Sequence, residues 1–224
     1  MEEAVPMAVG CKEGPEAQKL ICPSGQRSPA MGNRPRRLVI CLTGMPGSGK
    51  SVVAEVAREM GFNVVSMGDA VRAEARRRGL EPTGPNMRSL MFELRSERGP
   101  AAVAELCFPL IDEAGPEVLI EGVRSLEEVE AFRARYGQAV LVAVHSSPRT
   151  RFERLRARGR PDDPRDWREF IERDRAELSV GIGSAIAMAD HMIVNEGTIE
   201  ELAEEARGLL AKLRAKEINW STGL

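Results

Sequence analysis

The sequence predicts a three-layer α/β sandwich, a five-stranded parallel sheet flanked by helices. Three observations carry this expectation. The run Leu38-Val39-Ile40-Cys41-Leu42 is apolar on both faces, as a central strand of a parallel sheet must be. Short apolar runs and helically periodic segments then alternate along the chain, the pattern of strands joined by crossover helices. Between the first run and the first helix stands GMPGSGKS, residues 44–51, a glycine-rich turn leading from strand to helix.

Each element has its own signal. Val52, Val53, Val56 and Met60 recur at helical spacing, and Gly61 is a natural helix stop. Asn63 to Ser66 reads as a short strand. Two helices are expected over residues 69–80 and 86–97, broken by the turn at Pro82, Gly84 and Pro85, and a third over 100–114. Val118 to Ile120 is strand three. Ser125 and Glu128 have capping-box spacing ahead of a helix with Leu126, Val129 and Phe132 on one face. Ala139 to Val144 is strand four. Polar helices follow over 148–158 and 165–178, with a turn at Arg160-Pro161-Asp162-Asp163 between them. His191 to Val194 is strand five. Thr198 and Glu201 cap a last helix whose buried face is Leu202, Ala206, Leu209 and Leu213.

Composition narrows the function classes. The chain has 224 residues, 42% of them hydrophobic and 29% charged, which suits one globular domain with a sizeable core. The domain is expected over 36–216. Residues 1–35 show no apolar periodicity and read as a disordered extension, with Met31 a second candidate start; 217–224 is a tail. The net charge of −2 argues against a nucleic-acid partner. No apolar run approaches the roughly 20 residues that cross a bilayer. Cys11, Cys22, Cys41 and Cys107 form no C-x-x-C pair, so the default is a cytoplasmic protein without a disulfide framework or zinc site. A monomer or small homo-oligomer is expected.

Gly44, Gly49, Lys50 and Ser51 satisfy G-x-x-x-x-G-K-[ST]. Glycines let successive backbone N–H groups turn inward around an anion, and the following helix adds its positive N-terminal end. Gly44, Met45, Pro46, Gly47, Ser48, Gly49, Lys50 and Ser51 are therefore assigned to ATP, with Lys50 on the β- and γ-phosphates and the Ser51 hydroxyl on Mg²⁺. A switch-type GTPase would need a guanine-reading N-K-x-D, which the sequence lacks.

Several stretches carry a resemblance. Ser66-Met67-Gly68-Asp69-Ala70-Val71-Arg72 resembles the S-T-G-D-L-L-R segment of adenylate kinases, where the arginine grips the acceptor phosphate. Glu121-Gly122-Val123-Arg124 is similar to their D-G-F-P-R, although the proline is missing and the arginine falls one place early. Arg154 and Arg158 match the pair that opens the adenylate kinase lid, and Arg160-x-Asp162-Asp163 followed by Arg173 resembles the residues that close it. Ala189 to Gly197 is similar to the A-D-x-x-I-x-N-x-G of dephospho-CoA kinases, which packs near the adenine. Over residues 38 to 205 the chain most resembles an archaeal family of uncharacterised P-loop kinases related to both. That family shares GMPGSGKS and the runs Gly122 to Glu130, Val144 to Pro148 and Gly181 to Asp190.

The resemblance implies an ATP-dependent nucleotide kinase acting on a small-molecule acceptor, a nucleoside monophosphate in the preferred reading. A flap over 69–98 would hold the acceptor and a lid over 154–173 would close on the phosphates. Catalytic roles are implied for Lys50, Asp69, Arg124, Arg154, Arg158 and Arg173, and acceptor contacts for Asp69, Arg72 and Arg124. Metal contacts fall to Ser51 and Glu121. Plainer readings stand beside these: Glu121 as a strand-end acid, Asp69 as a helix N-cap, His145 and His191 as packing residues. The segment 149–175 holds ten arginines and seven acids; an RNA-binding strip there would want interleaved aromatics and a basic surplus. The alternatives in function are a dephospho-CoA kinase-like enzyme and a nucleotide-binding regulator or slow ATPase.

Overall fold

The structure, a computed structural model, describes residues 37–160 and 163–215. The expected extension, the tail and Asp162 lie outside the described residues. Five parallel strands form one sheet in the order β2-β3-β1-β4-β5. They are β1 (Leu38–Thr43), β2 (Asn63–Ser66), β3 (Glu117–Glu121), β4 (Ala139–His145) and β5 (His191–Val194). β1 is central, and Val39, Ile40, Cys41 and Leu42 have no exposed surface. Its side chains alternate between two cores. Val39 and Cys41 belong to one, with Val118, Ile120 and Leu141; Ile40 and Leu42 belong to the other, with Leu119, Val140 and Val142.

Helices cover both faces. α1 (Lys50–Glu59) and α9 (Ile199–Arg214) lie on one. α2 (Met67–Arg77), α3 (Gly84–Arg98), α4 (Ala102–Glu113) and α5 (Leu126–Tyr136) lie on the other. α6 (Pro148–Arg158) and α7 (Trp167–Ser179) are joined by Phe152, Trp167 and Phe170, whose ring centroids stand 5.0–5.5 Å apart. These aromatics pack on one another, with Phe170 fully buried, so they do not form the open stacking strip an RNA reading would need. α8 (Ile182–Ala187) follows Gly181; at six residues it is too short to show a period, and the sequence reading missed it.

Strand order reverses at β1. The chain leaves β1 for β2, returns to β3 beside β1, and then crosses to β4 and β5. Connections therefore diverge on either side of the carboxyl end of β1, and the crevice between them is where parallel sheets place ligands. The loops that begin at residues 44, 122, 146 and 195, and the start of α2 at Met67, open at this one edge.

Local chemistry corrects four expectations. Ser66, not Asp69, caps α2: its Oγ accepts from the Asp69 N–H at 3.2 Å, which puts Asp69 in the first turn. Thr83 caps α3, so Gly84 and Pro85 belong to its first turn, where proline loses no hydrogen bond. Ser125 caps α5, but the Glu128 carboxylate does not close the expected box. It is fully buried, and accepts instead from the Arg124 N–H at 2.8 Å and from Arg95 of α3 at 2.8 Å. The box at Thr198 and Glu201 is complete. On α9 the buried stripe runs Leu202, Ala206, Leu210 and Leu213, with Leu209 at its margin.

Charge also stitches α2 to α3. Arg78, at the C-cap of α2, reaches back to Glu74 at 2.8 Å and crosses to Glu93 at 2.7 Å and Glu97 at 3.3 Å on α3. Glu74 is buried, and its hydrogen bonds from Arg77, then those from Arg78, hold its carboxyl down to about 2 from 4.5. A depressed carboxyl stabilises the fold fully above its unfolded value and loses that contribution as pH falls. The stability gap between wild type and Glu74→Gln should therefore be widest above pH 4.5 and narrow toward pH 2. Urea unfolding at pH 6 and pH 3 measures it; an unchanged gap would show that the ion pairs are not what Glu74 contributes.

Candidate functional site

The loop from Gly44 to Gly49 curls against the end of β4 and the start of the loop after β5. Gly44 has φ +145°, and a Cβ there would stand 2.3 Å from the Val144 carbonyl oxygen. Gly49 has φ +104°, and its Cβ would meet Asn195 Nδ2 at 2.4 Å. Both positions demand glycine twice over, by backbone conformation and by space. α1 begins at Lys50 with no side-chain cap. Its first N–H groups are thus available to an anion, as a phosphate site requires. Ser48 Oγ is buried in the same loop with no hydrogen-bond partner among the described residues.

Lys50 Nζ donates to the Gly44 carbonyl at 2.6 Å and the Met45 carbonyl at 3.1 Å, across the mouth of the loop. Burial is the main influence on the ammonium and lowers it from 10.5 to about 8. Glu121 and Glu177 oppose that effect; Arg124 and Arg151 reinforce it. Residues from β3, α7, α6 and the loop after β3 thus converge on this one lysine.

The loop is held from behind. Arg151 of α6 is almost wholly buried. It donates to Asp174 of α7 at 2.9 and 2.6 Å, to the Pro46 carbonyl at 3.2 Å and to the Ser146 carbonyl at 3.2 Å, with its guanidinium 5.0 Å from the Phe170 ring centroid. Asn195, also buried, donates from Nδ2 to the Ser48 carbonyl at 2.8 Å. Loop carbonyls are drawn outward by these donors, which favours N–H groups facing the cavity.

The remaining sequence candidates divide into three groups. Arg124 stands on the loop after β3, which Thr43 Oγ1 ties to the end of β1 at the Val123 carbonyl, with Nε 3.3 Å from Glu177 Oε2 and Nη1 3.5 Å from Met91 Sδ. Glu121 ends β3 and acts on the same lysine, and Ser51 is exposed in the first turn of α1. On the flap side Arg72 pairs with Asp69 through Nε at 3.0 Å, and both side chains are exposed. That pairing, ahead of the Ser66 hydroxyl, holds the Asp69 carboxyl below its ordinary value.

The lid arginines do not act together. Arg154 points toward the loop after β5, donating to Asn195 O at 3.1 Å, Asn195 Oδ1 at 3.2 Å and Gly197 O at 3.1 Å. Arg158 and Arg173 share Asp163, at 2.9 and 3.4 Å. Asp163 is held down to about 2, chiefly by Arg158. The A-D-x-x-I-x-N-x-G run is split by β5. Asn195 stands at the site edge, whereas Asp190 lies at the opposite edge, accepting from the Leu141 N–H at 2.7 Å and Arg133 at 2.9 Å. Arg151, Asp174 and Glu177 escaped the sequence reading, because their pairings join residues far apart in the chain.

A family model described as AAA domain (AAA_17) matches residues 43–170. A UPF0200 protein of the archaeon Hyperthermus butylicus is 53% identical over 178 residues, 79% of this chain and 95% of its own length. The chain belongs to the UPF0200 family. A UPF0200 protein of Methanothermobacter thermautotrophicus is 48% identical over 187 residues, 83% of this chain and 96% of the relative. Among solved structures, TT1252 from Thermus thermophilus superposes with a TM-score of 0.56 at 23% identity, over 80% of this chain and 99% of that one. A gluconokinase from Sinorhizobium meliloti gives 0.52 at 19% identity, over 84% and 100%. A shikimate kinase from Acinetobacter baumannii in complex with shikimate gives 0.51 at 17%, over 82% and 97%. At these identities the likeness establishes the fold: this UPF0200 chain has the P-loop kinase architecture.

The UPF0200 site fits a nucleotide and its metal. The cradle accepts only glycine at its tightest points, and the uncapped N-terminus of α1 faces it. Ser51 and Glu121 supply hard oxygen donors of the type Mg²⁺ takes alongside phosphate oxygens and water. No helix among the described residues is long and apolar enough to cross a membrane.

Lys50 sets a pH test. A phosphate beside the ammonium restores its proton, so nucleotide binding should take up almost no proton at pH 7 and most of one at pH 9, above the free value of about 8. Affinity should weaken across the same window. Titration calorimetry in two buffers of different ionisation enthalpy measures the uptake; equal uptake at both pH values would mean that Lys50 does not meet the phosphates.

Proposed function

We propose that this protein is an ATP-dependent phosphotransferase that passes the γ-phosphoryl group to an anionic nucleotide acceptor, in the first instance a nucleoside monophosphate. The observation behind this reading is the placement of Lys50 and Arg124 in one cleft at the strand-order reversal. Lys50 sits on the glycine loop and Arg124 follows Val123, whose carbonyl accepts from Thr43 Oγ1 at 2.8 Å, so the two cations stand on adjacent loops of a site that gathers negative charge.

In this reading ATP lies along residues 44–51. Lys50 leaves the Gly44 and Met45 carbonyls for the β- and γ-phosphates. Mg²⁺, held through Ser51 and Glu121, neutralises charge on the phosphates when bound. Arg124 and Arg72 orient the acceptor phosphate. One of its oxygens attacks the γ-phosphorus, the bond to the ADP oxygen breaks, and ADP departs. An acceptor phosphate is already an anion at neutral pH and needs no base. Arg158 and Arg173, on the α6–α7 lid, act in closure, which excludes water. Arg154 is assigned to holding the Asn195 loop.

A second reading has one observation in its favour. The Asp69 carboxylate is exposed just past the carboxyl end of β2, where a hydroxyl acceptor could meet a general base, and the exposed Arg72 partner that weakens its basicity parts easily. Dephospho-CoA would be such an acceptor. The gluconokinase and shikimate kinase of like fold are named for hydroxylated acids, which adds those compounds to the candidates.

An acceptor screen with ATP decides between them, covering AMP, CMP, UMP, dCMP, dephospho-CoA, shikimate and gluconate. Turnover is expected with a monophosphate, and Lys50→Ala should lower it by about 100-fold or more while leaving the melting temperature nearly unchanged. ATP hydrolysis that no acceptor stimulates would make the protein a slow ATPase or regulator. Asp69→Asn keeps the Ser66 cap, because that bond uses the Asp69 backbone N–H. With a monophosphate acceptor the variant should retain the shape of the pH–rate profile. Loss of the acidic limb, with a collapsed rate, would make the acceptor a hydroxyl.

A further inference from the structure

Glu177 brings negative charge into a cleft suited to anions. It lies on α7, one turn beyond Asp174, so both carboxylates point from the same face of that helix. Asp174 anchors the helix to Arg151, behind the phosphate loop. Glu177 then reaches Arg124 at 3.3 Å, and its charge acts on Lys50.

Its surroundings differ from those of its neighbours. Asp174 accepts two hydrogen bonds from Arg151, and buried Glu128 accepts from the Arg124 N–H and from Arg95. Glu177 Oε2 is buried and 3.3 Å from Arg124 Nε, yet receives no hydrogen bond among the described residues. A carboxylate in that position gains Coulomb attraction from two cations but is not repaid for its lost hydration. It is therefore easily given up. The cations, for their part, repel one another unless an anion stands between them.

We propose that Glu177 is a placeholder for the acceptor's anionic group, neutralising Arg124 until that group displaces it. The proposal rests on the reading that Arg124 holds the acceptor. It carries a consequence for affinity. Any anion must displace Glu177 to reach Arg124, so the affinity of every acceptor group is lowered by the same factor. Glu177 thus sets a threshold, which a phosphate monoester of close to two negative charges passes most readily because it binds Arg124 most strongly.

The test uses the full chain with the P-loop filled by Mg²⁺ and the non-hydrolysable analogue AMPPNP, whose binding also reports that each variant is folded. Inorganic phosphate and acetate are the probes, titrated calorimetrically. Relative to wild type, Glu177→Gln should bind phosphate and acetate each about fivefold tighter, because removing an internal competitor raises both affinities alike. Adding Arg124→Gln should abolish both gains. Glu177→Asp, which draws the carboxylate back by one methylene, should give a smaller gain in the same direction and carries the test if the Gln variant does not fold. Unchanged affinities in a folded variant, or gains that survive the loss of Arg124, would overturn the assignment. An acceptor screen without turnover would instead count against the phosphotransferase reading, and the two titrations would still judge Glu177.

Discussion

The tightest constraint in this molecule is the closeness of the loop at Gly44 and Gly49 to the two strands beyond it. A single methyl group at either position would collide with a backbone carbonyl or with the Asn195 amide. The approach is possible only because β1 and β4 are adjacent, in register and parallel, so that Gly44 leaves β1 beside the end of β4. β5 in turn delivers Asn195 to the Ser48 carbonyl. The packed sheet is thus the device that sets the curvature of the phosphate loop. The apolar runs of β1 and β4 serve the site as directly as any residue within it.

Around that loop, positive charge is placed with local compensation. Arg151 meets Asp174, Arg124 approaches Glu177, Arg72 meets Asp69, and Arg158 and Arg173 share Asp163. These pairs differ in consequence. Arg151 and Asp174 are buried and doubly hydrogen-bonded, so separating them would strand a charge in the interior at a cost of about 3–5 kcal/mol. Arg72 and Asp69 are exposed, so their pair is worth little and parts easily. Permanence follows from burial together with hydrogen bonding: Arg151 with Asp174 behind the loop, and the buried Asp163 carboxylate with Arg158, are held fast, whereas the exposed Arg72 pair and the unsatisfied Glu177 oxygen can exchange.

Much of this was legible in the sequence. Doubly apolar runs located the strands, the cap at Thr198 located the last helix, and the loop glycines with Lys50 and Ser51 located the cradle. The failures share a physical cause. Arg151, Arg154 and Arg158 recur at helical spacing, so the pattern shows that they share a side of α6. It cannot show that one is buried under the loop, one crosses to β5 and one meets Asp163. Glu128 has the spacing of a capping box, but its carboxylate has better partners in the Arg124 N–H and in Arg95, which approaches from another helix. Local patterns state which groups are available. Tertiary packing selects among partners that the chain places far apart, as with Asp174, 23 residues from Arg151.

The half-buried lysine has a chemical corollary. An ordinary lysine has a neutral amine in only ~0.1% of molecules near pH 7.4, whereas one titrating near 8 is neutral in roughly a fifth of them. The neutral amine is the nucleophile toward acylating and arylating reagents. The chain's basic residues are overwhelmingly arginine, and among the described residues Lys212 is the only other lysine. An amine-directed reagent at limiting concentration would therefore find Lys50 in the phosphate cradle more reactive than Lys212, and a bound nucleotide would shield it. The desolvation that prepares Lys50 for phosphate also makes it a point of covalent access to the site.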